Sequence, residues 1–179
     1  MPPPIADKVE ANQLKLYTIP QTKPKTLTVR NYCSYKIFYQ HVGSGGVLGN
    51  GTLEAGGTWA TPTDIGGSNF KASKTEDLAK VVQVEYNRGA ALWYNLSLID
   101  CLARGPDGQR TKDATGCVGL EAGLQFGNKE NKSFQCKPGT WCDDQAYFYP
   151  ENMCKEINPV TNCAQDLGVT MEFCASKKS

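Results

Sequence analysis

Two carboxylates carry the most suggestive chemistry in this chain. Glu85 lies in an alternating segment, residues 81–86, where Val82, Val84 and Tyr86 share one face and Gln83 and Glu85 the other. Asp100 closes the next apolar segment, residues 92–99. Two acids on neighbouring strands can line a cleft. Paired acids cleave glycosidic bonds, and their separation sets the stereochemical course. The same pair can also attract cationic or hydroxyl-rich ligands, or stand solvated at strand edges. Strict alternation puts Asn95 and Asp100 on opposite faces unless a bulge or bend intervenes.

Other chemistry is weaker. His41 is the single histidine and sits in a strand pattern. A Ser/His/Asp triad would need it, and there is no Gly-x-Ser-x-Gly turn. The run 43–51 is glycine-rich but lacks Gly-x-Gly-x-x-Gly, Gly-Lys-Ser/Thr and a following helix, so it reads as flexible hairpin material rather than a phosphate loop. Eight cysteines are spread singly, at 33, 101, 117, 136, 142, 154, 163 and 174, with no Cys-x-x-Cys pair. One histidine and no close cysteine pair argue against zinc, and no metal or cofactor is expected. Disulfides are the expected state of the cysteines.

The elements that must position these residues are strands. The 179 residues carry 19 Lys+Arg against 18 Asp+Glu, net charge +1. That balance excludes a basic nucleic-acid binder and electrostatic capture by an anionic membrane. No apolar run approaches the ~20 residues of a membrane helix. Alternation recurs at 27–30, at 35–42 (Tyr35, Ile37, Tyr39 and His41 on one face), at 81–86, at 92–99, and at 169–173. A short strand broken by Gly56-Gly57 is also expected over 53–60. Ser73-x-x-Glu76 resembles a capping box, sufficient for one helical turn. Short strands, Gly/Pro turns and no long helical pattern indicate an all-β sandwich or barrel. Residues 1–25, rich in Pro, Lys and Gln, read as an extended or poorly ordered arm that Leu14, Leu16, Tyr17 and Ile19 could pin to the body. Residues 26–179 form one domain, with a cysteine-rich lobe, 101–163, before the last strand. Three sequons, at Asn50, Asn95 and Asn131, could accept glycans. The opening Met1-Pro2-Pro3-Pro4 lacks the apolar core of a signal peptide, so the expectation is a mature secreted form with an added initiator Met1, cut from a longer precursor.

Five segments resemble a known family in its own order. They are Leu27-Thr28-Val29-Arg30-Asn31-Tyr32-Cys33-Ser34-Tyr35, Leu53-Glu54-Ala55-Gly56-Gly57-Thr58-Trp59, Trp93-Tyr94-Asn95-Leu96-Ser97-Leu98-Ile99-Asp100, Ala146-Tyr147-Phe148-Tyr149-Pro150 and Val169-Thr170-Met171-Glu172-Phe173-Cys174. Together they resemble the thaumatin-like (osmotin) family, and the low cysteine count is most similar to small secreted fungal thaumatin-like proteins. The resemblance implies a flattened antiparallel β-sandwich with a disulfide-rich loop lobe and a cleft between them. It implies a Cys33–Cys174 pair, and leaves Cys101, Cys117, Cys136, Cys142, Cys154 and Cys163 unassigned.

Family members bind β-1,3-glucans, some hydrolyse them weakly, and many are antifungal or cell-wall associated. The family cleft uses an arginine, a glutamate and three aspartates. By resemblance Glu85 matches the glutamate and Asp100 the second aspartate. Asn95 and Asn152 stand where the first and third aspartates belong, with Tyr149 nearby. No arginine matches; Lys71 is the nearest candidate. An amide can be neither general base nor nucleophile. The expectation is a secreted, monomeric protein that binds cell-wall β-glucan or a host surface without efficient catalysis. The alternatives are a weak endo-β-1,3-glucanase using Glu85 and Asp100, and an effector, adhesin or allergen with a host protein partner. An enzyme-inhibitor role is more distant.

Overall fold

The computed structural model describes residues 13–149 and 158–178. Eleven strands are β1 (Thr26–Asn31), β2 (Ile37–Gly43), β3 (Gly46–Leu53), β4 (Thr58–Pro62), β5 (Ser68–Ser73), β6 (Val82–Arg88), β7 (Leu92–Ser97), β8 (Leu124–Gly127), β9 (Ser133–Cys136), β10 (Val160–Cys163) and β11 (Val169–Phe173). They form a five-stranded sheet, β4-β1-β11-β8-β9, and a six-stranded sheet, β10-β7-β6-β5-β2-β3. The two sheets pack face to face as an all-β sandwich. The alternation seen in the sequence explains why: Val82, Val84 and Tyr86 of β6 and Leu92, Tyr94 and Leu96 of β7 are buried, against Leu27, Val29, Leu124, Phe126, Met171 and Phe173 from the other sheet. Tyr94 packs edge-on to Phe126, 5.4 Å between ring centres.

All pairings are antiparallel except β1 with β11, which run parallel with Asn31 opposite Phe173. Both strands therefore leave the sheet at the same end, and Cys33 meets Cys174 with 5.1 Å between Cα atoms. The pairing implied by the family resemblance is present. Cys101–Cys117 and Cys136–Cys142 are the other two described disulfides. Cys163 is a buried free thiol, contrary to the expectation that it would be oxidised. Cys154 lies outside the described residues.

Several local expectations are corrected. The glycine run is not a slack loop: the turn is confined to the Gly43–Gly46 end, and the rest is strand β3. Tyr39 explains the glycine at 51, because a Cβ there would sit 2.8 Å from the tyrosine hydroxyl. The break expected at Gly56-Gly57 is wide enough to divide 53–60 between two strands, β3 ending at Leu53 and β4 starting at Thr58. The turn at Glu54–Gly57 carries the chain from the six-stranded sheet into β4 of the five-stranded sheet. Ser73 starts no helix; its hydroxyl accepts the Thr75 N–H at 3.2 Å in a local turn. Strand β5 was not foreseen, since only Phe70 and Ala72 mark its apolar side. The segment 101–163 supplies β8, β9 and β10 to the two sheets, besides its loops.

Residues 13–25 cross the outer face of the five-stranded sheet. That face is polar yet buried, with Thr170, Glu172, Gln125, Ser133 and Gln135 all at 0% exposure. Side-chain amides hold the arm by its backbone: Gln125 donates to Thr18 O, Gln135 donates to Tyr17 O, and Leu16 N donates to Gln135 Oε1. Lys178 Nζ donates to both Glu172 oxygens, at 2.9 and 3.1 Å, and to Thr18 O.

Candidate functional site

The outer face of the six-stranded sheet is also polar, but open. Register places Asn50, Gln40, Lys71, Gln83 and Ser97 in one row across five strands. At about 4.8 Å per strand the row spans roughly 19 Å. The next row holds Val42, Asn69, Glu85, Asn95 and Val160, and a third holds Asn87, Trp93 and Asn162. Pleating forces this outcome. On β5, β6 and β7 these residues alternate with buried apolar neighbours such as Phe70, Val84, Tyr94 and Leu96, and the register carries the same outward face to β2 and β3.

Glu85 and Asn95 are direct cross-strand partners, and the Asn95 amide donates to the Glu85 carboxylate. Burial raises the Glu85 carboxyl above its ordinary range; the Asn95 bond opposes this, the charge of Asp100 adds to it, and Lys71 opposes it weakly. Asp100 joins the site through a bend. Strand β7 ends at Ser97 and a 3-10 turn, Ile99–Cys101, follows. That turn breaks the alternation and brings Asp100 round to Gln83, whose amide donates to Asp100 Oδ2 at 2.7 Å. Asn69 in turn donates to Gln83 Oε1 at 2.6 Å. Arg110 completes the relay, donating to Asp100 Oδ1 at 3.1 Å and to Ile99 O at 3.1 Å. Asn69 Oδ1, opposite Glu85 in register, is buried with no partner among the described residues.

The structure thus brings together Glu85, Asn95, Asp100 and Lys71. Tyr149 lies half-buried against Trp141, whose indole N–H donates to its hydroxyl at 3.0 Å. Asn152 lies outside the described residues. Gln83, Asn69 and Arg110 join the site beyond the residues expected from the sequence. Gln83 was legible as the polar neighbour of Glu85 on β6, whereas Arg110 sits on a loop whose return to Asp100 has no periodic signal. Tyr147 is a further member: its backbone bonds Leu96 and Leu98, and the charge of Glu85 helps raise its phenol. Beyond Asp100 opens a shallow cavity of about 420 Å³, with Leu78, Val81, Ile99 and Leu102 as walls and Lys80 and Arg104 among its lining. His41 is a core residue, 2.6 Å from the Tyr86 hydroxyl and edge-on to Trp59. Cys33, Cys174 and Glu121 cluster closely, but the two sulfurs are bonded to each other and offer no thiolate to a metal.

No family model matches the chain, and no curated protein matches it in sequence. Solved structures do. The protein elicitor MoHrip2 from Magnaporthe oryzae aligns with a TM-score of 0.64 at 21% identity, over 84% of this chain and 99% of that chain. The thaumatin-like xylanase inhibitor TLXI aligns with a TM-score of 0.50 at 15% identity, over 83% and 98%. The fold is thaumatin-like. Among the described residues, no helix is long and apolar enough to cross a membrane.

Proposed function

We propose that this thaumatin-like protein is a secreted, non-catalytic binder of a neutral polysaccharide, with cell-wall β-1,3-glucan as the ligand class, presented on a wall or host surface. The observation that carries the reading is the relay Asn69–Gln83–Asp100–Arg110 beside Glu85–Asn95 on an open sheet face. Amides offer both donors and acceptors to sugar hydroxyls, and the relay pre-orients them. Trp93, 43% exposed, offers a ring for stacking at the edge of that face. Only two of the four family acid positions carry an acid, and Asp100 is balanced by Arg110, so the field suits a neutral polymer rather than a polycation. Pelleting with insoluble β-1,3-glucan tests the reading. Wild type should co-sediment and Gln83→Ala/Asn95→Ala should not; equal sedimentation of both, or none of either, would reject this face.

One observation favours a second reading, a weak endo-β-1,3-glucanase. Glu85 holds its proton more tightly than an ordinary glutamate, as a general acid must, and Asp100 lies near enough to influence it. Glu85→Gln should then abolish release of reducing ends. The elicitor neighbour supports a third, a host protein partner, for which the face variants would leave binding intact.

A further inference from the structure

We propose that the free edge of β3 is a self-association surface. Two copies pair antiparallel along β3 and join their six-stranded sheets, and a glycan on Asn50 blocks the pairing.

An edge strand presents unpaired backbone donors and acceptors, and proteins guard such edges with charge, proline, bulges, short length or covering segments; β3 has only a bulge at its hairpin end. The other edges here are guarded. Strand β4 ends in Pro62, β10 has four residues, and β9 has four residues with its Gln135 N–H taken by Gln145 Oε1. Strand β3 is the longest at eight residues, about 27 Å, and carries neither charge nor proline. Residues 42–53 contain no charged side chain at all. Val47 and Leu48 are the most exposed large hydrophobic residues described, at 58% and 50%. Gly49 pairs with His41 and Val47 with Val42, so Leu48 is the extra residue of a bulge on β3 itself, toward the hairpin end; residues 49–53 pair regularly and are the stretch offered to a partner.

The chemistry of an edge selects an extended strand as partner. A strand neutral throughout gains nothing from a charged peptide, and it opposes no like charges when paired with itself. A second copy therefore fits. Antiparallel self-pairing places the two-fold axis perpendicular to the sheet, so both polar faces point the same way. If the polysaccharide reading holds, the dimer presents two adjoining faces to one polymer and binds with avidity. The dimerisation itself does not depend on that reading. Asn50, exposed at mid-strand within the sequon Asn50-Gly51-Thr52, is placed so that two glycans would collide near the axis.

The test is sedimentation equilibrium of the full chain from about 5 to 500 µM, the range for a small, transient interface. Unglycosylated protein should move from 19.5 kDa toward twice that mass. Gly49→Lys should remain monomeric. A side chain there meets open space and the backbone is not left-handed, so the variant folds while placing two cations across the axis. Leu48→Lys should behave alike. A monomer at every concentration, or undiminished dimerisation of Gly49→Lys, would overturn the proposal. From a eukaryotic secretion host, wild type should be monomeric and Asn50→Gln dimeric; a dimeric wild type from that host would overturn the glycan's role.

Discussion

Replacing Lys178 by methionine removes the cation that neutralises Glu172. Glu172 is 0% exposed, and its carboxylate accepts from Lys178 at 2.9 and 3.1 Å and from Gln125 at 2.6 Å. Truncating one partner of a buried pair costs about 3–5 kcal/mol, because the remaining charge stays desolvated. The Lys178 side chain retains 19% exposure, so some water reaches the pair and the lower end applies, about 3 kcal/mol. For a domain of this size each kcal/mol is worth about 2–4 °C, so the melting temperature should fall by roughly 6–12 °C. Lys178 also bonds Thr18 O, so amides under the arm should exchange faster with solvent in the variant. The companion Lys178→Met/Glu172→Gln removes both charges and should recover most of the loss. The assay is thermal unfolding followed by circular dichroism at neutral pH. A fall under about 2 °C for the single variant, or a double variant no better than the single, would contradict a desolvated Glu172 charge held by Lys178.

Glu85→Gln should stabilise the fold at neutral pH. Burial raises the Glu85 carboxyl, so the folded state binds its proton more tightly than the unfolded state. Stability therefore falls as pH rises from the ordinary glutamate range through the raised value, and glutamine escapes that loss. Its amide can also donate to the orphaned Asn69 Oδ1 opposite. Melting curves of the two proteins should converge in acid; a variant less stable at pH 7 would contradict the assignment. Burial also pushes the Cys163 thiol up, so it should resist Ellman's reagent in the native protein and react after denaturation. Rapid native labelling of a Cys154→Ser variant would contradict the burial of Cys163, and a denatured wild-type chain without thiols would mean that Cys163 has joined Cys154.

Period-two alternation made β1, β2, β6, β7 and β11 legible in the sequence, because each buries one face only through its apolar side and leaves the other polar. Strand β11 shows the limit. Its pattern marks Thr170 and Glu172 as solvent-facing, yet both are buried, since the arm covers them and Lys178 supplies the charge. Nothing local in 169–173 encodes that cover. Strands β8 and β9 hide among cysteines, glycines and polar residues because their outer faces are buried amides, Gln125 and Gln135, rather than apolar side chains. At the site, the resemblance put Glu85 and Asn95 in one cleft, and the register makes them direct cross-strand partners. The meeting of Asp100 with Gln83 depends on a 3-10 bend at 99–101, and the approach of Arg110 on a loop, neither of which periodicity reports.

On the function proposed above, the polar sheet face binds β-1,3-glucan without turning it over. Isothermal titration of β-1,3-glucan oligosaccharides into wild type and Asn95→Ala, with reducing ends assayed in the same cell afterward, tests it most directly. The expected result is saturable binding by wild type, a loss of about tenfold in Asn95→Ala, equivalent to ~1.4 kcal/mol, the upper end for a neutral hydrogen bond, and no new reducing ends. Release of reducing ends by wild type but not by Glu85→Gln would contradict the non-catalytic claim, and equal affinity in the two proteins would contradict the site.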